Sequence, residues 1–231
     1  MQLGILGGLS WVSSLEYYRI INEEYIKESP DGANPRIILN SMDFNEATEN
    51  FKNQNRANEM MQREAQKLVQ GGCELLVIAS NTAHFCYEGI HRASSVPMIH
   101  IGDAVGERLK ELGARKVLLL GTRFTMNLDF YRQRLENNFQ IKLKTPLQED
   151  KRTVDQIIYN ELVQQIFTDQ SKQAYMDIIS REAEQGADAV IMGCTEIPLL
   201  LKGVESPIPL VDSTLEHCRS IVKTMLKQKA P

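Results

Sequence analysis

The sequence has little of what marks secreted, membrane-spanning or nucleic-acid-binding proteins. Its four cysteines are too few and too irregularly spaced for a disulfide framework, and residues 1–7 lack the charged and long apolar segments of a signal peptide. No apolar run approaches the roughly 20 residues that a membrane span needs. The net charge of −4 comes without a basic stripe, which argues against a nucleic-acid partner. We therefore expect a cytoplasmic protein that binds neither membranes nor nucleic acids.

Motifs that hold metals or nucleotide cofactors are also missing. The sequence contains neither a Cys-x-x-Cys pair nor a His-Glu-x-x-His helix, which are common spacings of metal ligands. Gly4, Gly7 and Gly8 are wrongly spaced for the phosphate-binding Gly-x-Gly-x-x-Gly fingerprint. The hydrolase motif Gly-x-Ser-x-Gly does not occur either. We therefore expect a site with no metal and no cofactor.

The sequence does contain short apolar runs that alternate with helical patterns. Its content of 42% hydrophobic and 24% charged residues is ordinary for a globular protein. The apolar runs predict strands near residues 2–6, 37–41, 75–79, 96–101, 117–120, 139–143, 189–192 and 207–211. Residues 30–35 predict a turn, residues 144–153 a charged loop and residues 213–228 a closing helix. Strands that alternate with helices predict an α/β fold with mainly parallel, doubly wound sheets flanked by helices.

The second half of the chain repeats a pattern of the first half at an offset of 114 residues. At this offset three pairs coincide, namely Gly186 with Gly72, Asp188 with Glu74, and Cys194 with Ser80. The pair Gly121-Thr122 likewise falls on Gly7-Gly8. A repeat at one offset indicates two similar structural units. We therefore predict two pseudo-symmetric lobes with the active site in the cleft between them. The N-terminal lobe has residues 1–100 and a returning segment 208–231, and the C-terminal lobe has residues 101–207.

Cys194 is the leading candidate for a catalytic residue. It follows the apolar run 189–192 and precedes Thr195 and Glu196, where a strand would end and a helix begin. Ligands of open α/β folds bind at the carboxyl ends of strands. A following helix would favour the thiolate, because its free N–H groups and its dipole stabilise negative charge. The alternative is a structural thiol that packs as a small apolar group.

Polar residues at the other predicted strand ends suit the binding of a carboxylate. Their hydroxyl, amide and backbone N–H groups would form an uncharged cradle. The predicted substrate-binding residues are Ser10, Asn81, Thr82, Thr122, Thr125, Thr195 and Glu196. His84 has two interpretations at this stage: it orients or protonates a group in the site, or it is a packed or capping histidine.

Five stretches of the chain, taken in order, resemble the aspartate/glutamate racemase superfamily. They are Gly-Gly-Leu-Ser-Trp at 7–11, Ser-Asn-Thr-Ala-His at 80–84, Gly-Thr-Arg-Phe-Thr-Met at 121–126, Ile-Ile-Tyr-Asn-Glu-Leu at 157–162 and Gly-Cys-Thr-Glu-Ile at 193–197. The likeness covers nearly the whole chain. It is strongest to the branch that holds aspartate racemases and broad-specificity amino-acid racemases.

This resemblance implies an isomerase that racemises an acidic amino acid, aspartate, glutamate or both, without pyridoxal phosphate or any other cofactor. In such enzymes two cysteines face opposite sides of the substrate α-carbon. One thiolate removes the α-proton, and the other thiol delivers a proton to the far face. The resemblance also implies a homodimer. By position, Cys194 corresponds to one of the two acid/base cysteines.

The chain departs from the two-cysteine pattern at Ser80, where the resemblance expects the other cysteine. An alcohol is a far weaker acid than a thiol, whose ordinary pKa is about 8.5. Three interpretations are open. Ser80 is an introduced substitution, or it belongs to a natural one-base variant that works mainly in one direction, or the chain has lost racemisation. The last interpretation leads to two alternatives, a single-cysteine decarboxylase or cis-trans isomerase of dicarboxylates, and a catalytically silent carboxylate binder.

The residue that would bind a distal substrate carboxylate is also open. Some aspartate-specific relatives carry an arginine after the second strand, whereas this chain has none between Ile37 and Asn55. The candidates to replace it are Lys52, Arg56, Arg123, Lys151 and Arg152. Aspartate, glutamate and a broader set of amino acids therefore all stay open as substrates.

Overall fold

The computed structural model describes residues 1–29 and 32–227. These residues form two compact units, one with residues 1–100 and the segment from His217 onward, the other with residues 101–216. Each unit holds one parallel sheet flanked by helices, so the predicted α/β fold class is confirmed. None of the helices in the described ranges has the length and the apolar character that crossing a membrane requires.

The first unit is built on a three-stranded parallel sheet of order β2-β1-β3. Its strands are β1 (Gln2–Gly7), β2 (Arg36–Ser41) and β3 (Leu75–Ile78), and its helices are α1 (Trp11–Glu28), α2 (Phe44–Asn50), α3 (Gln54–Gln70), a 3₁₀ helix (Thr82–Cys86) and α4 (Tyr87–Ala93). All four residues of β3 are buried, as are five of the six in β1. Such continuous burial is expected of strands covered on both faces.

The strand predicted at residues 96–101 is wrong. Only one bridge forms there, between Leu76 and Met98, and the Leu76 N–H donates to the Pro97 carbonyl. Proline has no N–H to continue a ladder of hydrogen bonds. The next helix, α5 (Ile101–Glu111), then begins at once.

The second unit is built on a four-stranded parallel sheet of order β5-β4-β6-β7. Its strands are β4 (Lys116–Gly121), β5 (Lys142–Lys144), β6 (Ala189–Gly193) and β7 (Leu210–Asp212). Its helices after α5 are α6 (Arg123–Asn127), α7 (Phe130–Phe139), α8 (Gln148–Asn160), a 3₁₀ helix (Leu162–Gln164), α9 (Asp169–Glu184) and α10 (Ile197–Leu200), and α11 (Ser213–Lys227) runs from this unit into the first.

The charged loop predicted at residues 144–153 is wrong in its second half, because α8 begins at Gln148. Glu149 and Asp150 lie in the first turn of this helix, where negative charge is favourable. Lys151 and Val154 are its first buried residues. The charges that suggested a loop therefore belong to the start of an amphipathic helix.

The predicted repeat is present in the pairing of the strands. Leu3 pairs with Leu75 in the first sheet, and the residues 114 positions later, Val117 and Ala189, pair in the second. Glu74 accepts a hydrogen bond from the Gln2 N–H, and Asp188 accepts one from the Lys116 N–H. Gly72 and Gly186 both have positive φ, 86° and 88°. The two units are therefore built on the same local design.

The segment predicted to return to the first lobe began at residue 208. In the structure β7 pairs with β6 through Leu210 and Val190, and the second unit continues to Glu216. A division into separate domains stays a prediction. Residues 228–231 of the returning segment, the predicted helix end at Gln228, and Pro30 and Asp31 of the predicted turn lie outside the described residues.

Candidate active site

The loop after β1 is held in a tight turn at the carboxyl end of the first sheet. Gly8 has φ 84°, and its N–H donates to Ser14 Oγ at 2.8 Å. Ser10 is the N-cap of α1, where its Oγ accepts the Ser13 N–H at 3.2 Å. Ser10 has φ 142°, a backbone conformation that residues with side chains rarely adopt. The polar residues of this loop are therefore fixed by bonds to one another.

Replacing Gly8 with alanine is expected to destabilise the protein by at least about 2 kcal/mol. A Cβ here would lie 2.2 Å from both the backbone nitrogen and the backbone oxygen of Met42. Gly72→Ala is the matched control, because Gly72 has a similar φ of 86° but a Cβ there would meet nothing within 4 Å. Gly72→Ala should lower the free energy of unfolding by only about 1 kcal/mol. Urea unfolding measures both, and equal losses would contradict the role of the Met42 contact.

Ser80 follows β3 at the same end of the first sheet and is half-buried. Its Oγ accepts the Ala83 N–H at 3.4 Å, and its carbonyl oxygen lies 2.7 Å from His84 Nδ1. The next two predicted site residues differ in exposure, since Asn81 is buried and Thr82 is half-buried. The Ser80 hydroxyl thus has a weak local bond, while its backbone is anchored by a histidine.

His84 is packed in a polar cluster of buried rings. The members of the cluster are Tyr17, His84, Tyr87, His100 and His217. The centroid of His84 lies 4.8 Å from that of His100 and 5.5 Å from that of His217. His217 Nε2 faces the Ile99 carbonyl at 3.1 Å, so it carries the proton, and Nδ1 accepts from the Tyr17 hydroxyl at 2.8 Å. The cluster supports the backbone at Ser80.

In the second unit, Thr122 and Thr125 bond to each other at the carboxyl end of β4. Thr122 is the N-cap of α6, and its Oγ1 accepts the Thr125 N–H at 3.2 Å. The two hydroxyls are 3.1 Å apart. Thr125 is fully buried, and Thr122 is half-buried. Of these two threonines, Thr122 therefore presents the more accessible surface.

Cys194 lies directly after β6 and donates a hydrogen bond to Glu196. The distance from Sγ to Glu196 Oε2 is 3.0 Å. Cys194 is half-buried, whereas the other three cysteines, Cys73, Cys86 and Cys218, are buried. Thr195 and Glu196 are buried as well, at 9% and 3% exposure. A thiol with an adjacent buried carboxylate can exchange a proton with it.

The pKa of the Cys194 thiol is raised well above its ordinary value. Burial is the largest cause, followed by the charge of Glu196 and the hydrogen bond that the thiol donates to it. The backbone N–H groups of Thr195 and Glu196 lower the pKa, as expected of N–H groups at the start of a helix. The predicted preference for the thiolate is nevertheless wrong, because burial and a neighbouring carboxylate outweigh the two N–H groups. The resting form at neutral pH is the thiol.

Two tyrosines that bear on the electrostatics of this unit were missed by the sequence analysis. Burial raises the pKa of the hydroxyls of Tyr159 on α8 and Tyr175 on α9, and the negative charges of Asp155 and of a deprotonated Cys194 raise it further. Asp155 Oδ1 also accepts the Arg123 N–H at 2.6 Å. Both tyrosines lie in amphipathic helices, so periodicity alone assigns them to packing. The motif around 157–162 was the one signal that could have drawn attention to Tyr159.

The cations proposed for a distal carboxylate have different environments. Lys151 is buried, and its Nζ donates to Asn127 Oδ1 at 2.9 Å. Burial and the charge of Arg132 lower its pKa. Lys52 pairs with Glu49 at 2.5 Å, and Arg56, Arg123 and Arg152 are exposed. As for metals, no group of three or more His, Cys, Asp or Glu side chains in residues 1–29 and 32–227 could hold an ion.

Comparison with known proteins gives the family. The sequence profile of the Asp/Glu/hydantoin racemases matches residues 6–221. The chain belongs to this family. It is similar to the broad-specificity amino-acid racemase RacX of Bacillus subtilis, with 34% identity over 166 residues, which are 70% of this chain and 69% of that protein.

Solved structures agree with this assignment. A crystal structure from Yersinia pestis that is assigned to the Asp/Glu racemases has a TM-score of 0.90 and 35% identity, and the match covers 98% of this chain and 100% of that chain. An aspartate racemase homologue from Pyrococcus horikoshii OT3 has a TM-score of 0.85 and 32% identity, covering 96% and 98% of the two chains.

The family settles the class of reaction. The relatives are named as amino-acid racemases, which are isomerases and act on small amino-acid substrates. The predicted resemblance and the predicted enzyme class are therefore confirmed. The names of the relatives do not extend to the roles of Cys194 and Ser80, which stay predictions.

Proposed function

We propose that the protein racemises aspartate, glutamate or both by moving a proton at the α-carbon, without a cofactor. The observation that carries this proposal is the Cys194 thiol, half-buried at the end of β6 and hydrogen-bonded to a buried carboxylate. The names of two relatives support the substrate class: RacX is a broad-specificity amino-acid racemase, and the Pyrococcus protein is an aspartate racemase homologue.

Cys194 works as the acid/base, and Glu196 takes up its proton. The Glu196 carboxylate accepts the Sγ proton along the existing 3.0 Å bond, which leaves a thiolate. The thiolate then removes the α-proton of the substrate, so that Cys194 is a thiol again and the α-carbon carries the electron pair. Hydrogen bonds from the Thr195 and Glu196 N–H groups stabilise the thiolate meanwhile. In the reverse direction the resting thiol is a ready proton donor.

Ser80 takes the part of the second cysteine, but poorly. Its hydroxyl is far less acidic than a thiol, so protonation of the other face of the α-carbon is slow. The expected consequence is a one-sided enzyme. It exchanges the α-proton of one enantiomer with solvent faster than it inverts the stereocentre, because Cys194 returns a proton to the face from which it took one.

The remaining predicted residues hold the substrate carboxylate. They are Ser10, Asn81, Thr82, Thr122, Thr125 and Thr195, with Glu196 assigned to Cys194 instead. Their hydroxyls, amide and backbone N–H groups offer donors without a net charge. Among the cations considered for the distal carboxylate of the substrate, Lys151 is buried, so water screens its charge least. We therefore favour Lys151 as the residue that binds this carboxylate. We also propose that the protein forms a homodimer and is cytoplasmic.

Replacing Ser80 with cysteine is expected to raise the rate of inversion roughly a hundredfold, because a second thiol supplies general acid/base catalysis. Proton NMR of L- and D-aspartate and of L- and D-glutamate in heavy water measures loss of the α-proton, and circular dichroism measures inversion. Ser41→Cys is the matched control, since Ser41 is exposed at the end of β2 in the same unit. Neither exchange nor inversion in the unaltered protein and in Ser80→Cys would contradict the proposed function.

A further inference from the structure

A cavity of about 650 Å³ lies beside β5, the edge strand of the second sheet. This volume is within the range of cavities that hold small molecules. The residues that line it include a single carboxylate, Glu136, and four cations, which are Lys116, Arg132, Lys142 and Lys144. A concave surface with an excess of positive charge attracts anions.

Lys116 and Lys142 begin the neighbouring strands β4 and β5 and are partners in their register. Adjacent strands are about 4.8 Å apart, and the side chains of register partners leave the sheet on the same face. Like charges in this arrangement repel each other and destabilise the sheet. Both lysines are exposed, and within residues 1–29 and 32–227 neither ammonium group has a hydrogen bond or an ion pair. The fold therefore holds two positive charges side by side without a counter-charge.

The other two cations of the cavity have partners. Lys144 forms an ion pair with the buried carboxylate of Glu182. Arg132 donates from Nη1 to the Leu143 carbonyl oxygen at 2.6 Å and to Glu136 Oε1 at 3.4 Å. The two carboxylates therefore balance Lys144 and Arg132, and the positive charge that is left over belongs to the lysine pair.

Two of the ammonium groups lie near the end of α9. Lys144 Nζ lies 3.4 Å from Gln185 Oε1, and Lys116 Nζ lies 4.0 Å from the position that a Cβ would take at Gly186. Asp188 follows these residues, but its carboxylate accepts the backbone N–H of Lys116 and forms no ion pair with the ammonium group. The Lys116 side chain is thus directed past this carboxylate, toward Gln185 in the lining of the cavity.

Protection of the sheet edge explains only part of this arrangement. Lysines on an edge strand keep it from pairing with other chains, which gives Lys142 and Lys144 a structural role. Lys116 lies on β4, which has β5 on one side and β6 on the other, so it protects no edge. A pair of like charges that destabilises the sheet, at the wall of a cavity, is explained if an anion binds between them.

We propose that this cavity binds a diphosphate group, held by Lys116 and Lys142. Two adjacent ammonium groups match a ligand with negative charges on adjacent groups, and lysine binds phosphate as a point charge. The site is at the amino end of β4, whereas Thr122 follows its carboxyl end. A strand of six residues is roughly 20 Å long, so this ligand is not the substrate of the candidate active site.

Isothermal titration calorimetry in a low-salt buffer tests the proposal with inorganic pyrophosphate and with ADP. We expect both to bind, and tighter binding of ADP would show that the diphosphate belongs to a nucleotide-sized molecule, whereas tighter binding of pyrophosphate would show that it is free. Lys116→Gln and Lys142→Gln should each weaken binding of pyrophosphate about tenfold, because each removes one charged partner of the anion. Citrate provides the comparison with a carboxylate, and citrate binding as tight as pyrophosphate binding would overturn the assignment to phosphate.

Lys202→Gln is the matched control, since Lys202 is an exposed lysine of the same unit outside the cavity. It should leave the affinity for pyrophosphate within about twofold. An equal loss of affinity in Lys202→Gln and Lys142→Gln would show that the anion responds only to the charge of the whole protein, and the proposed site would be wrong. Absence of binding to the unaltered protein would also overturn it.

Thermal unfolding in low salt provides a second test that a misfolded variant could not imitate. Without a ligand, Lys142→Gln should melt at the same or a higher temperature than the unaltered protein, because the repulsion between the two lysines is removed. Pyrophosphate should raise the melting temperature of the unaltered protein and of Lys202→Gln, but not that of Lys142→Gln. Equal stabilisation of all three proteins would contradict the proposal. None of these measurements depends on racemisation, so they test this site independently of the proposed function.

Discussion

Replacing Cys194 with alanine is expected to lower both racemisation and α-proton exchange by at least about a thousandfold. Positioned acid/base groups contribute roughly a hundredfold to ten-thousandfold. Cys194 lies at the upper end because Ser80 is too weak an acid and base to replace it. The fold should survive, since Cys194 is half-buried and alanine is only slightly smaller. Heavy-water NMR with aspartate and glutamate measures exchange, and thermal unfolding checks the fold.

Cys73→Ala is the control for a general effect of cysteine loss. Cys73 is buried before β3, where its side chain fills the space beside Gly4. This substitution should lower stability by about 1 kcal/mol through a small cavity and leave the rate unchanged. Residual exchange in Cys194→Ala at more than a tenth of the original rate would show that another group removes the α-proton, and the proposed role of Cys194 would be wrong.

Replacing Glu196 with glutamine is expected to change the reactivity of Cys194 and the rate of racemisation in opposite directions. The carboxylate raises the pKa of the thiol by its charge and by accepting its hydrogen bond. An uncharged amide removes the negative charge, so the pKa of the Cys194 thiol falls and the fraction of thiolate at a given pH rises. Alkylation of Cys194 should therefore become faster, and its pH profile should move to lower pH. Racemisation should fall about a hundredfold, because glutamine cannot take up the proton.

Glu182→Gln is the control, since Glu182 is a buried carboxylate of the same unit that pairs with Lys144 instead. It should lower stability without a change in Cys194 alkylation. Faster racemisation together with faster alkylation in Glu196→Gln would mean that Glu196 only suppresses the thiolate. The proton-acceptor step proposed above would then have to be abandoned, while Cys194 could still be the base.

Much of the architecture follows from local patterns in the sequence. The apolar runs of β1, β3, β4 and β6 are buried on both faces, so their sequences show them without ambiguity. The shared offset of 114 residues reappears in the strand pairing, since Leu3 pairs with Leu75 and Val117 pairs with Ala189. Local patterns were misleading at residues 96–101, where Pro97 stops the ladder, and at the start of α8, whose acidic first turn resembles a loop.

The sequence by itself determined the α/β fold, the repeat and the equivalence of Ser80 with Cys194, because strand patterns and turn glycines act over a few residues. Only the tertiary structure decided the state of Cys194. Its protonation depends on burial, which is set by packing from the whole second unit, and on the orientation of the Glu196 side chain. Burial and charge act through space, so they appear only when the chain is folded.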